Sequence, residues 1–481
     1  MLLPPRTHRL DTVVDPADAF VALLGDGGLD AVWLDAGPGA ESGRSFLGTG
    51  TRIITASVAD GAVTDTDAAV TDRIVSDGTR TQEAAILAVL HALTAAKADT
   101  SGFPLGWAGW LGYEAGAAAL GVPYHPGPGA DAAFLLVDRL IAFDHADGSV
   151  TVVDATTDDD GWLAQATATL EKAAGAADAY LDAHPVADAD EAVEVSWRHD
   201  DRTYLAMIAA CQEAIRAGDA YQLCLTNTAT ARTGADPLAV HLRLRRRSPS
   251  HHAGFLRIAG ETLVSSSPEQ FLLVTADGSI RTKPVKGTRP RGTTLADDLR
   301  LRVELEASEK ERAENVMIVD LMRNDLGRVS ATGSVSVRHL LEVESYAQVH
   351  QLVSTVEGRL RPGLTAVDAL AAAFPAGSMT GAPKLSAMRI LAGLEGGPRG
   401  VYAGCFGVLA ADGSADLAMV IRSLRFRDGT VTVGAGGGIT ALSVPEEELD
   451  EVRVKADALL RAAGLRAPGR LPGNGSEGAN V

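Results

Sequence analysis

The sequence predicts an α+β fold built on antiparallel sheets, and three observations carry that reading. β-like runs come in groups with helical stretches between them, without the regular strand–helix alternation that a doubly wound sheet requires. The 481 residues are 46% hydrophobic and 22% charged, a globular composition long enough to bury a substantial core. No run approaches the ~20 consecutive apolar residues of a membrane span. The length admits two or three average domains or one large two-layer body. Composition divides it into an N-terminal region (1–155), an Ala/Asp-rich helix and linker (156–196), a region 197–463 carrying most of the chemistry, and a disordered tail (464–481).

In order along the chain, Ala31-Val32-Trp33-Leu34 and Arg52-Ile53-Ile54-Thr55 read as strands and about 81–97 as a helix. The segment Gly106-Trp107-Ala108-Gly109-Trp110-Leu111-Gly112-Tyr113-Glu114 interleaves glycines with aromatics, so backbones approach closely while rings fill the gap. Residues 134–142 and 149–153 read as a hairpin. Asp158-Asp159-Asp160 favours the positive end of a following helix. Leu205, Ile208 and Ile215 set a helix over 201–217, closed by Gly218, and Tyr221 to Thr228 follows as a strand. Two β-like stretches flank a loop carrying Lys286, then come a long helix, about 296–322, and helices near 365–374 and 383–394. Strand-like runs 401–410, 416–426 and 430–435 lead to a last helix, 445–462, and the Pro/Gly-rich tail beyond has no apolar period.

A net charge of -19 excludes nucleic acid and an anionic membrane surface as main partners. An anionic substrate would need a local positive cluster or a metal. Cys211, Cys224 and Cys405 form no CxxC and cannot all pair, which points to a reducing compartment and buried thiols. The N-terminus lacks the apolar block of a signal peptide, so a soluble cytoplasmic protein is expected.

The chemistry concentrates in a few places. In Lys283-Pro284-Val285-Lys286-Gly287-Thr288-Arg289-Pro290-Arg291-Gly292, prolines and glycines stiffen and bend the backbone around Lys286. In a partly dry pocket such an amine loses its proton and becomes a nucleophile; on the surface the same segment holds an anion. Glu311 and Glu314, and again Glu448 and Glu451 with Lys455, lie three or four apart on helices and so share a face. Two such pairs facing each other suit one hard cation of the magnesium type; separately they are solvated faces. Val433-Gly434-Ala435-Gly436-Gly437-Gly438-Ile439 either turns backbone N–H groups onto a carboxylate or makes a plain turn, and lacks the helix-opening GxGxxG of a dinucleotide site. Glu269, after Ser265-Ser266-Ser267-Pro268, stands at a strand entrance, where an apolar wall would raise its pKa and suit a general acid. His350 and Arg422 are polar residues on apolar strands, either satisfied in the core or pointing into a cleft.

Together these motifs resemble the chorismate-utilising enzymes, which include the anthranilate, aminodeoxychorismate, isochorismate and salicylate synthases. The resemblance covers nearly the whole chain: Gly43-Arg44-Ser45-Phe46-Leu47-Gly48; Ser267-Pro268-Glu269; Ala313-Glu314-Asn315-Val316-Met317-Ile318-Val319-Asp320-Leu321; Arg323-Asn324-Asp325-Leu326-Gly327; Thr380-Gly381-Ala382-Pro383-Lys384; and the glycine run. It implies two antiparallel sheets packed together with helices outside. It implies Mg2+ held by Glu314 and Glu451, with Glu311 and Glu448 acting through water. Tyr402, Arg422, Gly436, Gly438 and Lys455 would hold the carboxylates of chorismate, with Thr288 counted among the substrate-binding residues. Glu269 would be the acid that assists loss of the C4 hydroxyl, and His350 a histidine lining the site.

Two positions choose within the family. Where isochorismate and salicylate synthases carry a water-activating lysine, this sequence has Gln222, whose neutral amide takes no proton from water. Lys286 stands where anthranilate synthases have Ala or Gly and aminodeoxychorismate synthases have Lys. The resemblance therefore implies amination of chorismate to 4-amino-4-deoxychorismate through attack by a neutral Lys286. Ammonia would come from a separate glutamine amidotransferase subunit, and a separate lyase would complete 4-aminobenzoate for folate. The alternatives are an anthranilate synthase component, a synthase serving an antibiotic pathway, an idle subunit that only activates an amidotransferase, and a metal-dependent binding protein. The tryptophan-binding motifs of anthranilate synthases are replaced by Trp33-Leu34-Asp35-Ala36 and Ser248-Pro249-Ser250-His251-His252, so no tryptophan feedback is expected.

Overall fold

Alternating burial along the strands sorts their side chains into two facings, and that alternation builds the architecture. The computed structural model describes residues 2–66, 85–94, 97–157, 160–186, 195–346 and 349–466. Among them the strands form two antiparallel sheets, one of twelve strands and one of eleven. Val32, Leu256 and Ile258 of the first sheet face Ala108, Trp110 and Val408 of the second, making an inner core between the sheets. Their neighbours point outward: Trp33 and Phe255 pack under helices on one side, and Trp107 and Phe271 on the other. The result is helix–sheet–sheet–helix, the α+β arrangement expected.

Both sheets mix the N-terminal region with the rest of the chain. Ala31–Asp35 pairs with His252–Ile258 in the first sheet, and Gly106–Leu111 with Cys405–Ala410 in the second. In that second pairing Gly109 sits opposite Gly407, and a Cβ on Gly109 would lie 1.9 Å from the Ala133 carbonyl oxygen. The close backbone approach read from the Gly/Trp alternation is what these strands require.

Several elements differ from expectation. The helix over 296–322 is two, Leu295–Ala307 and Glu309–Gly327, because Ser308 is extended (φ −66°, ψ 112°) and caps one while starting the next. The run 134–142 is split at Asp138 into Ala132–Val137 and Arg139–Asp144, which belong to different sheets; only the second makes the hairpin with Ser149–Asp154. The run 416–426 breaks into Ala415–Met419 and Ser423–Arg427, again one strand per sheet. Arg422 lies in that break with φ 51° rather than on a strand. Lys286 sits in strand Val285–Pro290, not a loop, and the glycine run is the end of strand Thr430–Ile439, not a turn. Of the helix expected over 81–97, Ala85–Thr94 is helical and the remaining residues, except Lys97, lie outside those described; so do Asp158, Asp159 and residues 467–481 of the tail.

Candidate active site

The strand that carries Lys286 is bent at one place, and the bend aims its side chain. Val285 pairs with Val353 and Thr288 with Gln351, so one extra residue is accommodated between them. Gly287 takes up that bulge at φ 86°, where a Cβ would meet the Glu311 side chain at 2.7 Å and Leu305 at 2.8 Å. Only glycine allows the strand to press so close to the two helices while turning Lys286 inward. From the other sheet the glycine run approaches with no side chains of its own. A Cβ on Gly438 would lie 2.3 Å from Gln222 Nε2 and 3.4 Å from Lys286 Nζ, and one on Gly434 would overlap the Tyr402 ring. The glycines thus leave room for other residues' side chains. Gly434 to Gly438 all pair with strand Gln222–Arg232 and do not form a free nest of N–H groups.

Where these edges meet helices Glu309–Gly327 and Pro445–Ala462 there is a cavity of about 390 Å³. Its lining brings together Lys286, Thr288, Glu269, Tyr402, Arg422, Gly436, Gly438, Lys455, Glu311, Glu314, Glu448 and Glu451, all singled out from the sequence. His350 is the exception. Strand Val349–Arg359 alternates, so Gln351 faces the cavity while His350 is turned away, 2.8 Å from Ser345 Oγ and 3.0 Å from Asp298 Oδ1. His350 acts as a strut between elements.

Sequence reasoning missed Gln351, Ser378, Lys310, Arg289 and Cys224, which also line the cavity. Period-two alternation from His350 was the available signal for Gln351, and Ser378 lies two residues before the Thr380-Gly381 motif. The three cysteines are buried free thiols as expected, although Cys224 reaches the cavity wall.

Glu269 is 6% exposed, and burial pushes its carboxyl up to about 7 against the opposing pull of the Ser378 hydroxyl, which donates to Oε1 at 2.9 Å, and of Lys286. A carboxylic acid that keeps its proton near neutrality is a competent general acid. Lys286 departs from expectation. Burial works to neutralise it, but Glu314 at 3.6 Å, with Cys224, Glu269 and Glu451 nearby, outweighs burial and raises its pKa. As the site stands the amine is an ammonium.

Each carboxylate of the expected magnesium set has a cationic partner: Glu314 with Lys286, Glu448 with Lys310 at 3.1 Å, Glu451 with Lys455 at 2.6 Å, and Glu311 with Arg289 at 3.0 Å. Among the described residues no three metal-ligating side chains converge closely enough to hold an ion in this arrangement. The donor chemistry nonetheless fits a hard divalent cation: burial raises the pKa of Glu314, which also feels Glu448 and Glu451 as neighbouring negative charges, so another cation among them is electrostatically favoured. The guanidinium of Arg422 has no hydrogen-bond partner among the described residues, and burial lowers its pKa despite nearby Glu451. With Lys455, which donates to the Gly436 carbonyl at 2.7 Å, it offers positive charge to an anionic ligand in the cavity that Glu269 and Lys286 also line.

The chain matches the family of chorismate binding enzymes over residues 42–461. It is 42% identical to aminodeoxychorismate synthase of Streptomyces griseus, over 98% of this chain and 66% of that protein's length. It is 41% identical to anthranilate synthase component 1 of Streptomyces coelicolor, over 74% of this chain and 72% of that protein. Among solved structures, anthranilate synthase component I from Streptococcus pneumoniae superposes with a TM-score of 0.69 at 28% identity, covering 88% of this chain and 93% of that one. The chain belongs to the chorismate binding enzyme family. Among the described residues no helix is long and apolar enough to cross a membrane.

Proposed function

We propose that this chorismate-utilising enzyme aminates chorismate to 4-amino-4-deoxychorismate, with ammonia supplied from glutamine by a separate amidotransferase subunit. The observation that carries this reading is Lys286 held between the glycine run and Glu314, in one cavity with the buried acid Glu269. Arg422, Tyr402 and Lys455 bind and orient the carboxylates of the substrate. Glu311, Glu314, Glu448 and Glu451 would hold Mg2+. When bound, the cation supplies Lewis-acid withdrawal from the diene and neutralises the carboxylates that keep Lys286 protonated.

Once neutral, the Lys286 amine forms a bond to C2 while the ring double bonds shift and the C4–O bond breaks; Glu269 gives its proton to the departing oxygen, which leaves as water. Ammonia then forms a bond to C4, the double bonds shift back, the C2–N bond to Lys286 breaks, and the Glu269 carboxylate takes a proton from the added nitrogen and is restored as the acid. The balance is chorismate plus ammonia to aminodeoxychorismate plus water. Gln222 keeps water from competing because its amide cannot accept a proton. A downstream lyase would convert the product to 4-aminobenzoate, for folate or for an antibiotic pathway.

The 41% identity to an anthranilate synthase component makes that activity the second reading. Incubation with chorismate, Mg2+ and ammonium separates the two. Aminodeoxychorismate requires added lyase before a fluorescent aminobenzoate appears, whereas anthranilate fluoresces without it. Direct anthranilate formation overturns the first reading.

A further inference from the structure

Next to the wall that carries Glu269 lies an ion pair that is not part of the lining of the active-site cavity. Arg399 and Glu395 are 6% and 3% exposed, four residues apart across the end of helix Lys384–Glu395. Their contact is a two-bond fork, Nε to Oε2 at 2.8 Å and Nη2 to Oε1 at 2.7 Å. The remaining donors of the guanidinium go to two cavity-lining residues on separate elements: Nη1 to the Met379 carbonyl at 2.6 Å, and Nη2 to the Cys224 carbonyl at 2.8 Å. Glu395 Oε1 also accepts from the Thr226 backbone N–H and hydroxyl, both at 2.9 Å, and Thr226 pairs with Gly436 of the glycine run. The Tyr113 ring lies 4.3 Å from the guanidinium, fixing its plane.

Met379 follows Ser378, and the Ser378 hydroxyl is the one side-chain donor to the Glu269 carboxyl among the described residues. The turn Gly377–Met379 is three residues long, so a carbonyl clamped at 379 fixes the hydroxyl at 378. We propose that Glu395 and Arg399 are positioning residues that hold Ser378 against Glu269, acting through the Met379 carbonyl. A fold needs no buried ion pair for stability at such a place, since a packed apolar pair serves as well. A fork that pins two carbonyls on the reactive wall has a use that apolar side chains cannot supply. The inference rests on Glu269 being the acid of the proposed reaction.

The pair's effect reaches Glu269 as a hydrogen bond to its ionised form, set against burial and with Lys286 the other charged group facing it. Loosening Ser378 therefore moves ionisation of Glu269 upward, by roughly 0.5 to 1 unit. The experiment is the pH dependence of kcat with ammonium as nitrogen source, for wild type, Ser378→Ala, Arg399→Lys, Glu395→Gln and the double variant Arg399→Lys/Ser378→Ala. Expected is an alkaline limb displaced upward in each single variant, with the double variant displaced no further than Ser378→Ala alone. Glu395→Gln keeps the shape of the pair, and Ser378→Ala removes one cavity-wall atom, so the question survives if Arg399→Lys does not fold. A wild-type profile without a limb that Glu269→Gln abolishes overturns Glu269 as the acid, and this proposal with it. A wild-type limb that stays in place in Ser378→Ala, or in the folded pair variants, overturns the positioning role alone. Lower kcat or thermal stability with an unmoved limb likewise counts against it, being what a purely structural pair gives.

Discussion

Two of the cavities among the described residues are similar in size and differ in almost everything else. The candidate active site, about 390 Å³, is walled by glutamates, lysines and arginines brought from both sheets and two helices. A second cavity, about 330 Å³, lies between the sheets and is lined by Phe46, Phe103, Phe406 and Leu34, with Asp35, His251 and His252 at its polar margin. The two stretches that differ from the tryptophan-binding motifs, 33–36 and 248–252, meet there. Its charged groups are already engaged: Asp35 accepts from Ser45 Oγ at 2.9 Å and from Arg245 Nε at 2.8 Å, Asp416 from Gln270, Asp412 from Ser414, and Arg44 donates to Asp144. In the first cavity the Arg422 guanidinium has no hydrogen-bond partner among the described residues, and burial pushes Glu269 up to about 7. Neither volume nor a displaced pKa alone marks a reaction centre, since Asp416 in the second cavity is raised too; an uncommitted cation in one cavity with a buried acid does.

Substitutions break the comparison most sharply. Glu269→Gln is expected to cost on the order of 10²–10⁴ in amination rate, the usual weight of a general acid. Lys286→Ala should cost at least as much, and no adduct should be trappable on it. His252→Phe, in the second cavity, should leave the rate within roughly twofold, as substitutions remote from the chemistry do. Product formation from chorismate and ammonium measures all three. Equal losses from both cavities would dissolve the distinction.

The cation is the next lever. Chelation should abolish turnover, and Glu314→Gln should weaken Mg2+ binding by roughly tenfold or more, read by calorimetry independently of activity. Unchanged affinity would remove Glu314 from the ligand set. A smaller effect follows from pH. Glu269 holds its proton below about 7 and loses it above. Activity is then expected to fall as pH rises through 7, and Glu269→Gln should lose that limb along with most of its rate.

Much of this was legible in the sequence because it is carried by short-range geometry. Glutamates three apart on a helix must share a face, and both pairs line the cavity. Glycines spaced along a strand had to leave room for something, although the sequence did not say that the room is filled by Tyr402 and Gln222. What was hidden depends on distant elements. Lys286 reads as a neutral nucleophile in isolation, but Glu314, Glu269 and Glu451 approach from three other segments and reverse the expected shift. His350 was misplaced by one residue, and in a strand one residue is the opposite face. The Glu395–Arg399 pair has the local spacing of an ordinary i,i+4 ion pair, but nothing local shows that Arg399 also reaches the main-chain carbonyls of Cys224 and Met379.

Tryptophan tests the second cavity as a ligand site. With Asp35 held by Ser45 and Arg245, Asp416 by Gln270 and Asp412 by Ser414, each carboxylate of that lining already has a partner, and micromolar tryptophan should leave turnover unchanged. Inhibition at that level would mean that the Arg245 contact opens on binding.

The smallest expected effect separates the cavities by acid stability. Burial and the positive charge of Lys283 push His251 down to about 4, against the pull of Glu344, and burial with His251 and Lys283 pushes His252 to about 3. In the unfolded chain both take protons near the ordinary value of about 6.5, so between that pH and their folded values the unfolded state binds more protons. Their contribution is fully present above about 6.5 and is lost as pH falls. Asp416 in the same cavity acts in the opposite sense: burial raises it to about 6, so the folded state binds more protons between its ordinary value and 6. Glu269, raised to about 7, shares that sense. The total slope is therefore a poor test, but the difference between His252→Phe and wild type isolates one histidine. The variant's melting temperature should drop less than that of wild type between pH 6.5 and 4, by on the order of a few degrees. Parallel curves would show that His252 is solvated enough to titrate normally, leaving the second cavity wetter than its aromatic lining suggests.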